Sequence, residues 1–212
     1  MSDLYVTEGV AEYVMTLFPP DYKGVCIDVG AFHPTWISNS WLFEQNGWEV
    51  YCIEPNPNCI PKLKEMRKNV IEFACGAESK DDVDFYIYDT QWAGPKVEDY
   101  DMWRGQAADT GLIKHQDTTG KLYQTIKVNV RTLDFILGWN WLPINQIDYI
   151  SIDVEKNEME VLRGLDLTRW KPSVIVIENE FKTVDQHAWL SSYGYMCINR
   201  IGVNDIYKKW SE

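Results

Sequence analysis

Acidic residues close a series of short apolar runs in this chain. Val25-Cys-Ile-Asp-Val29 carries Asp28 and stops at Gly30, and Trp48 to Ile53 stops at Glu54. Ile147 to Val154 carries Asp153 with Glu155 just beyond it, and Ser173 to Ile177 stops at Glu178, Asn179 and Glu180. A glycine directly after a strand lets backbone approach a ligand with no Cβ in the way. The acid beside it, Asp28, suits a cationic amine. A pyrophosphate asks for the reverse, several glycines and a helix start free of acid. Gly30 stands alone where a dinucleotide fingerprint needs three glycines, so that fingerprint fails.

Glu54 lies 24 residues after Gly30. An acid there can take both hydroxyls of a ribose, as the corresponding acid does in NAD proteins. Ribose recognition without a diphosphate loop, next to an acid for an ammonium, describes S-adenosylmethionine (SAM) rather than NAD. The flanking Ala31 and Pro55 fall in the same expected cofactor site, as does Asp153.

A methyl acceptor must be aligned with its donor, and an acceptor that carries a proton needs help to lose it. One arrangement uses Asp153 or Glu155 as the base, with His33 nearby; His33 can equally serve as a structural hydrogen bond before Pro34. His115, in an irregular stretch, and His187, on an expected helix, are read as bystanders. The other arrangement uses a divalent cation such as Mg²⁺ on Asp153, Glu178 and Asn179, hard oxygen donors that suit it. That set resembles the ligands of metal-dependent catechol-type O-methyltransferases. Glu158 and Glu160 are explained by the dipole of a helix start.

These residues need strand ends to stand on. Strands are expected at 25–29, 48–53, 70–75, 83–88, 123–130, 147–154, 173–177, 195–199 and 203–208. Helices are expected at 38–46, 60–68, 131–137, 157–165 and 184–192, with Pro61 in a first turn and Asn157 and Glu160 as a capping box. Ile60, Leu63 and Met66 or Arg67 fall at helical spacing. Strands alternating with helices imply a mostly parallel α/β sheet covered on both faces, with its ligand at the carboxyl ends of the strands. Residues 90–121 show no sustained period and are read as a lid or substrate-facing insertion in a single domain of 212 residues.

Composition narrows the partners. The formal charge of −12 works against a polyanion, so nucleic acid is not the expected partner. No apolar run approaches the roughly 18 residues of a membrane span, and the first residues lack a signal-peptide pattern, so a cytoplasmic protein is expected. Five cysteines without CxxC spacing fit reduced, hydrophobe-like thiols. Ten tryptophans and twelve tyrosines suit core packing, or a cleft that stacks on a sugar.

Three blocks, CIDVGAFHPTWISNS (26–40), VYCIEPNP (50–57) and IDYISIDVEKNEMEVLRG (147–164), make the chain similar to FkbM-type SAM-dependent methyltransferases. Asp153, Glu155, Glu158, Val161, Leu162 and Gly164 match the family's D-x-E-G-x-E-x-x-V-L-x-G pattern. Lys156 stands where that pattern has glycine, which predicts a stiffer or differently aimed loop. His33-Pro34 replaces the second glycine of the family's commoner first motif and resembles a His-Pro variant of it. The resemblance implies a seven-stranded Rossmann-like fold, SAM held by Asp28, Gly30 and Glu54 with Cys75, Gly76 and Ala77 near the adenine, and O-methylation of a small-molecule or glycan hydroxyl. An RNA ribose methyltransferase and a non-catalytic SAM-binding module are the alternatives.

Overall fold

The computed structural model describes residues 9–89, 103–107, 121–138 and 142–210. In chain order the elements are α1 (Val10–Met15), β1 (Val25–Val29), α2 (Trp41–Gln45), β2 (Glu49–Ile53), α3 (Ile60–Met66), β3 (Asn69–Ile71), β4 (Ala74–Cys75) and β5 (Lys80–Asp89). They continue with β6 (Trp103–Ala107), β7 (Lys121–Arg131), α4 (Leu133–Leu137), β8 (Tyr149–Ile152), α5 (Glu158–Arg163), β9 (Val174–Glu178), α6 (Val184–Ser192), β10 (Tyr195–Ile201) and β11 (Asn204–Lys209).

The apolar runs become the centre of a seven-stranded sheet, ordered β10-β11-β9-β8-β1-β2-β3. Its strands pair in parallel except β11, which runs antiparallel to both neighbours. A strand buried on both faces is apolar at nearly every position, and the period of two then sorts its side chains between two cores. Ile27, Tyr51, Ile150 and Ile175 meet α4, α5 and α6 through Leu133, Val161 and Leu190. Cys26, Val50, Tyr149 and Val174 meet α1, α2 and α3 through Val14, Phe43 and Leu63. This is the Rossmann-like arrangement of a doubly wound sheet. The chain winds outward from β1 to β3, then returns to β8 on the other side of β1, so strand order reverses between β1 and β8.

The expected strand over 70–75 is two strands in two sheets. The Phe73 amide bonds the Ile71 carbonyl at 3.2 Å, a γ-type turn about Glu72 that takes the chain out of the main sheet. Beyond it, β4 enters a second sheet ordered β4-β7-β5-β6, in which β5 pairs antiparallel with β6 and β7. Within the expected irregular insertion Trp103–Ala107 is thus a strand; the rest of 90–121, apart from Lys121 at the start of β7, lies outside the described residues. His115 lies outside them too. The capping box also differs: the Asn157 side chain does not cap α5. Instead Glu158 accepts the Val154 and Lys156 amides at 3.2 and 3.0 Å, so the loop is tied by a carboxylate inside the helix. Among the described residues no helix is long and apolar enough to cross a membrane. All five cysteines are free thiols, four of them buried.

Candidate active site

The turn after β1 depends on Gly30. Its φ of 85° is one that L side chains rarely adopt, and a Cβ there would sit 1.8 Å from the Asp153 carbonyl oxygen. The end of β1 and the end of β8 therefore touch through backbone alone. The Gly30 and Ala31 amides both bond the Ile53 carbonyl, at 2.9 and 3.2 Å, which draws in the end of β2. Glu54 follows directly. Its Oε2 accepts the Phe32 amide at 2.9 Å and its Oε1 the Asn56 amide at 2.8 Å. Each oxygen holds one amide and keeps a lone pair for another donor. Burial pushes the Glu54 carboxyl up to about 7, against the two amides and assisted by Asp28 and Glu155.

Asp28 is buried in β1, with its Oδ2 accepting the Ser40 hydroxyl proton. Burial raises its pKa, opposed by the Arg67 charge and the Ser40 hydrogen bond. His33 is also buried, and its Nδ1 accepts the Thr35 and Trp36 amides at 3.1 and 2.8 Å. With Nδ1 an acceptor, the ring proton belongs on Nε2. Taking up a second proton would break both amide bonds. Burial, with the Lys62 charge, accordingly lowers the His33 pKa to about 4. This geometry suits the loop-holding role and works against a general base.

At the ends of β8 and β9, carboxylate oxygens of Asp153, Glu158 and Glu178 lie within 4.8 Å of one another. Glu158 is 5% exposed, and burial with the Asp153 charge pushes it up to about 7. Crowded acids of this kind retain a proton unless a cation replaces it. Asn179 is not part of this group. Its amide donates to the Thr183 carbonyl and Asp205, while its oxygen accepts from Thr183, so it ties β9 to the start of α6. The loop between Asp153 and α5 has non-glycine residues in left-handed conformation, Glu155 at φ 58° and Lys156 at φ 79°. Lys156 thus keeps the backbone geometry that glycine favours, and its Nζ lies 5.0 Å from the Phe181 ring centroid.

These strand ends surround one pocket of about 1080 Å³, open mouth included. It gathers Asp28, Gly30, Ala31, His33, Glu54, Pro55, Cys75, Asp153, Glu155 and Glu178. Gly76, Ala77 and Asn179 are not among its lining residues. Gly76 packs instead against α5: a Cβ on Gly164 would meet its carbonyl oxygen at 2.2 Å. His187 lies on α6 beside Tyr207 and does not line the pocket either. The lining aromatics among the described residues are Phe32, Phe73, Phe85 and His33, so no tryptophan or tyrosine there serves as a stacking platform. Among the described residues five carboxylates face this space, and none of its lining is lysine or arginine.

Sequence reasoning missed the roles of Arg67, Ser40 and Glu44, which underlie the loop, and of Glu158. One signal was present: Arg67 continues the apolar stripe of Ile60 and Leu63, a position where a charge is buried and needs partners.

The comparisons with known proteins follow this architecture. A family model described as a methyltransferase FkbM domain matches residues 28–197. No curated protein matches the chain. Among solved structures, the methyltransferase FkbM from Methylobacillus flagellatus KT is similar at TM-score 0.55 and 14% identity, over 95% of this chain and 47% of that one. The chain thus spans about half the length of that neighbour, a likeness of fold. A precorrin-6y C5,15-methyltransferase from Geobacter metallireducens GS-15 is similar at TM-score 0.47 and 15% identity, over 100% of this chain and 93% of that one. The matched span runs from inside β1 through α5 into β10, so the chain belongs to the FkbM methyltransferase domain family.

Proposed function

We propose that this chain is a SAM-dependent O-methyltransferase whose acceptor is a hydroxyl of a sugar in a glycan. The observation that carries the cofactor is the pocket's charge. It sits where strand order reverses, and among the described residues its lining holds five carboxylates and no lysine or arginine. Such a lining repels a phosphate and attracts an ammonium and a sulfonium. Bound SAM supplies the electrophilic methyl on its sulfonium.

In this reading Asp28 accepts from the amino group of the cofactor and Glu54 from the ribose hydroxyls. Gly30, Ala31 and Pro55 let backbone lie close, and Cys75 borders the adenine, with Gly76 and Ala77 behind it. Asp153 or Glu155 takes the acceptor's proton at a carboxylate oxygen. A divalent cation fits the same corner: Asp153 and Glu178 supply two hard oxygens and Glu158, in place of Asn179, a third. It would lower the acceptor's pKa as a Lewis acid. The sugar acceptor rests on the family resemblance, and an acid-lined mouth favours a neutral acceptor over a polyanion.

Calorimetric titration with SAM tests the first step, and absence of binding overturns the reading. Labelled-methyl transfer to a panel of glycans, with and without EDTA, tests the rest. Transfer to RNA and to no sugar overturns the acceptor, and EDTA-insensitive transfer overturns the metal.

A further inference from the structure

Beneath the cofactor loop lies a buried ionic network that the transfer chemistry itself does not require. Arg67 directly follows α3 in extended conformation, φ −114° and ψ 145°, and is 4% exposed. Its Nε donates to Glu44 Oε2. Its Nη1 donates to the Pro34 carbonyl at 2.9 Å and to Ser38 Oγ at 3.3 Å. Its Nη2 donates to Ser40 Oγ at 2.8 Å, and the Ser40 hydroxyl in turn donates a hydrogen bond to Asp28 Oδ2. Glu44 is held in turn by the Lys68 amide at 3.0 Å. The Trp41 ring centroid lies 5.5 Å from the guanidinium carbon.

We propose that Arg67 is a positioning residue for the cofactor's amine site, holding the Asp28 carboxylate through Ser40 and the 34–40 loop through Pro34 and Ser38. The inference rests on the SAM reading and deepens it. A buried ion pair is a poor source of stability compared with apolar packing. A planar fork reaching four acceptors on one loop and helix is, however, a means of fixing geometry that lysine cannot match. The charges point the same way. Arg67 is balanced by Glu44, which leaves Asp28 as the surplus negative charge beside a pocket whose described lining holds no lysine or arginine. A cationic ligand completes the set.

The groups that face Asp28 electrostatically come from every neighbouring element: Cys26 on β1, Cys52 on β2, Glu54 beyond it, Tyr149 on β8, and Arg67. Burial raises Cys26, Cys52 and Tyr149, so they stay neutral over the working range. Of these, only Glu54, pushed up to about 7, changes charge within the working range. Ser40 is therefore the specific handle on Asp28, because it touches Asp28 and Arg67 together.

The experiment measures SAM affinity by calorimetry from pH 5 to 8.5 for the wild type, Ser40→Ala, Ser38→Ala and Arg67→Lys, with thermal melting of each. Ser40→Ala is expected to bind about tenfold more weakly at pH 7, since a charge-assisted bond to the recognising carboxylate is lost. Its acid limb should also move to higher pH, because the ionised Asp28 has lost a donor. Ser38→Ala keeps the Ser40–Asp28 contact but loses one Arg67 anchor and the acceptor of the Ser40 amide, so it should weaken binding less than Ser40→Ala and move that limb less. Arg67→Lys should weaken binding with little change in kcat at saturating cofactor. A Ser40→Ala protein that melts lower yet binds with wild-type affinity and pH dependence overturns the inference. A wild type that binds no SAM overturns the functional reading, and this inference with it.

Discussion

Single residues at this site are constrained by backbone geometry as much as by chemistry. Glu54 holds two amides and still has lone pairs for a ribose. Glu54→Gln presents an NH₂ to one of those amides, leaving that N–H without an acceptor, and removes the charge. SAM affinity should fall about tenfold or more, and the pH dependence centred near 7 should disappear. Calorimetry across pH checks both, and wild-type affinity in the variant would remove Glu54 from the ribose role. Lys156 makes a contrasting case. Its left-handed φ of 79° costs a side chain about 1 kcal/mol, a cost that glycine avoids. Glycine, though, adds unfolded-state entropy of about 0.5–1 kcal/mol and loses the ring contact to Phe181. Lys156→Gly should therefore change stability by less than about 0.5 kcal/mol, whereas a β-branched Lys156→Val should cost about 1–2 kcal/mol. Denaturant melts that rank the two variants the other way would show that the loop has a different backbone in solution.

Among the elements, the contact between α5 and the chain after β4 joins the two sheets. Gly164 ends α5 against the Gly76 carbonyl, where a Cβ would lie at 2.2 Å from backbone oxygen. Gly164→Ala must push these segments apart and should destabilise by about 1–3 kcal/mol, as overpacking does. Because Cys75 borders the pocket, cofactor affinity should fall as well; a melt and a titration on the same sample measure the two effects. How legible each element was follows from how many residues declare it. The ends of β1, β2, β8 and β9 could be read because full burial requires continuous apolar runs, and an acid ending each run breaks the pattern visibly. The split between β3 and β4 could not, since one γ-type turn about Glu72 leaves no periodicity to detect. The alternation of Val83 to Tyr88 marked a strand, but its partners lie across a long sequence separation, so the second sheet could not be read. Of the site, Asp28, Glu54, Asp153 and Glu178 were visible as strand-end acids. Glu158 was hidden because a helix start already accounts for an acid, and nothing in the sequence shows that the Asn179 side chain is engaged with Thr183 and Asp205.

For the whole molecule, the buried acids set how stability varies with pH. Glu54 and Glu158 have folded pKa values near 7, above their unfolded value of 4.5, and Asp28 is raised in the same sense. The folded state then binds more protons than the unfolded chain between about pH 4.5 and 7, so stability falls as pH rises through that window. His33 opposes this. Its folded value near 4 lies below the unfolded 6.5, so its contribution rises with pH from about 4 to 6.5. Two glutamates against one histidine leave a net fall, steepest between 6.5 and 7, where His33 no longer counts. The ligand-free protein should melt at least about 2 °C higher at pH 5.5 than at pH 7.5. Repulsion among surface charges at a net −12 acts in the same direction, but salt screens it and leaves the buried part. The difference should hence persist at high salt, shrink in Glu54→Gln and Glu158→Gln, and shrink further in their double variant. Magnesium should raise the melting temperature more at pH 7.5 than at 5.5, because protons and a cation compete for Asp153, Glu158 and Glu178. A melting temperature that rises from pH 5.5 to 7.5 in high salt would mean that these carboxyls are ionised in the folded protein and already satisfied. The pocket would then carry its full negative charge at pH 5.5 as well, and cofactor affinity should not weaken toward acid pH.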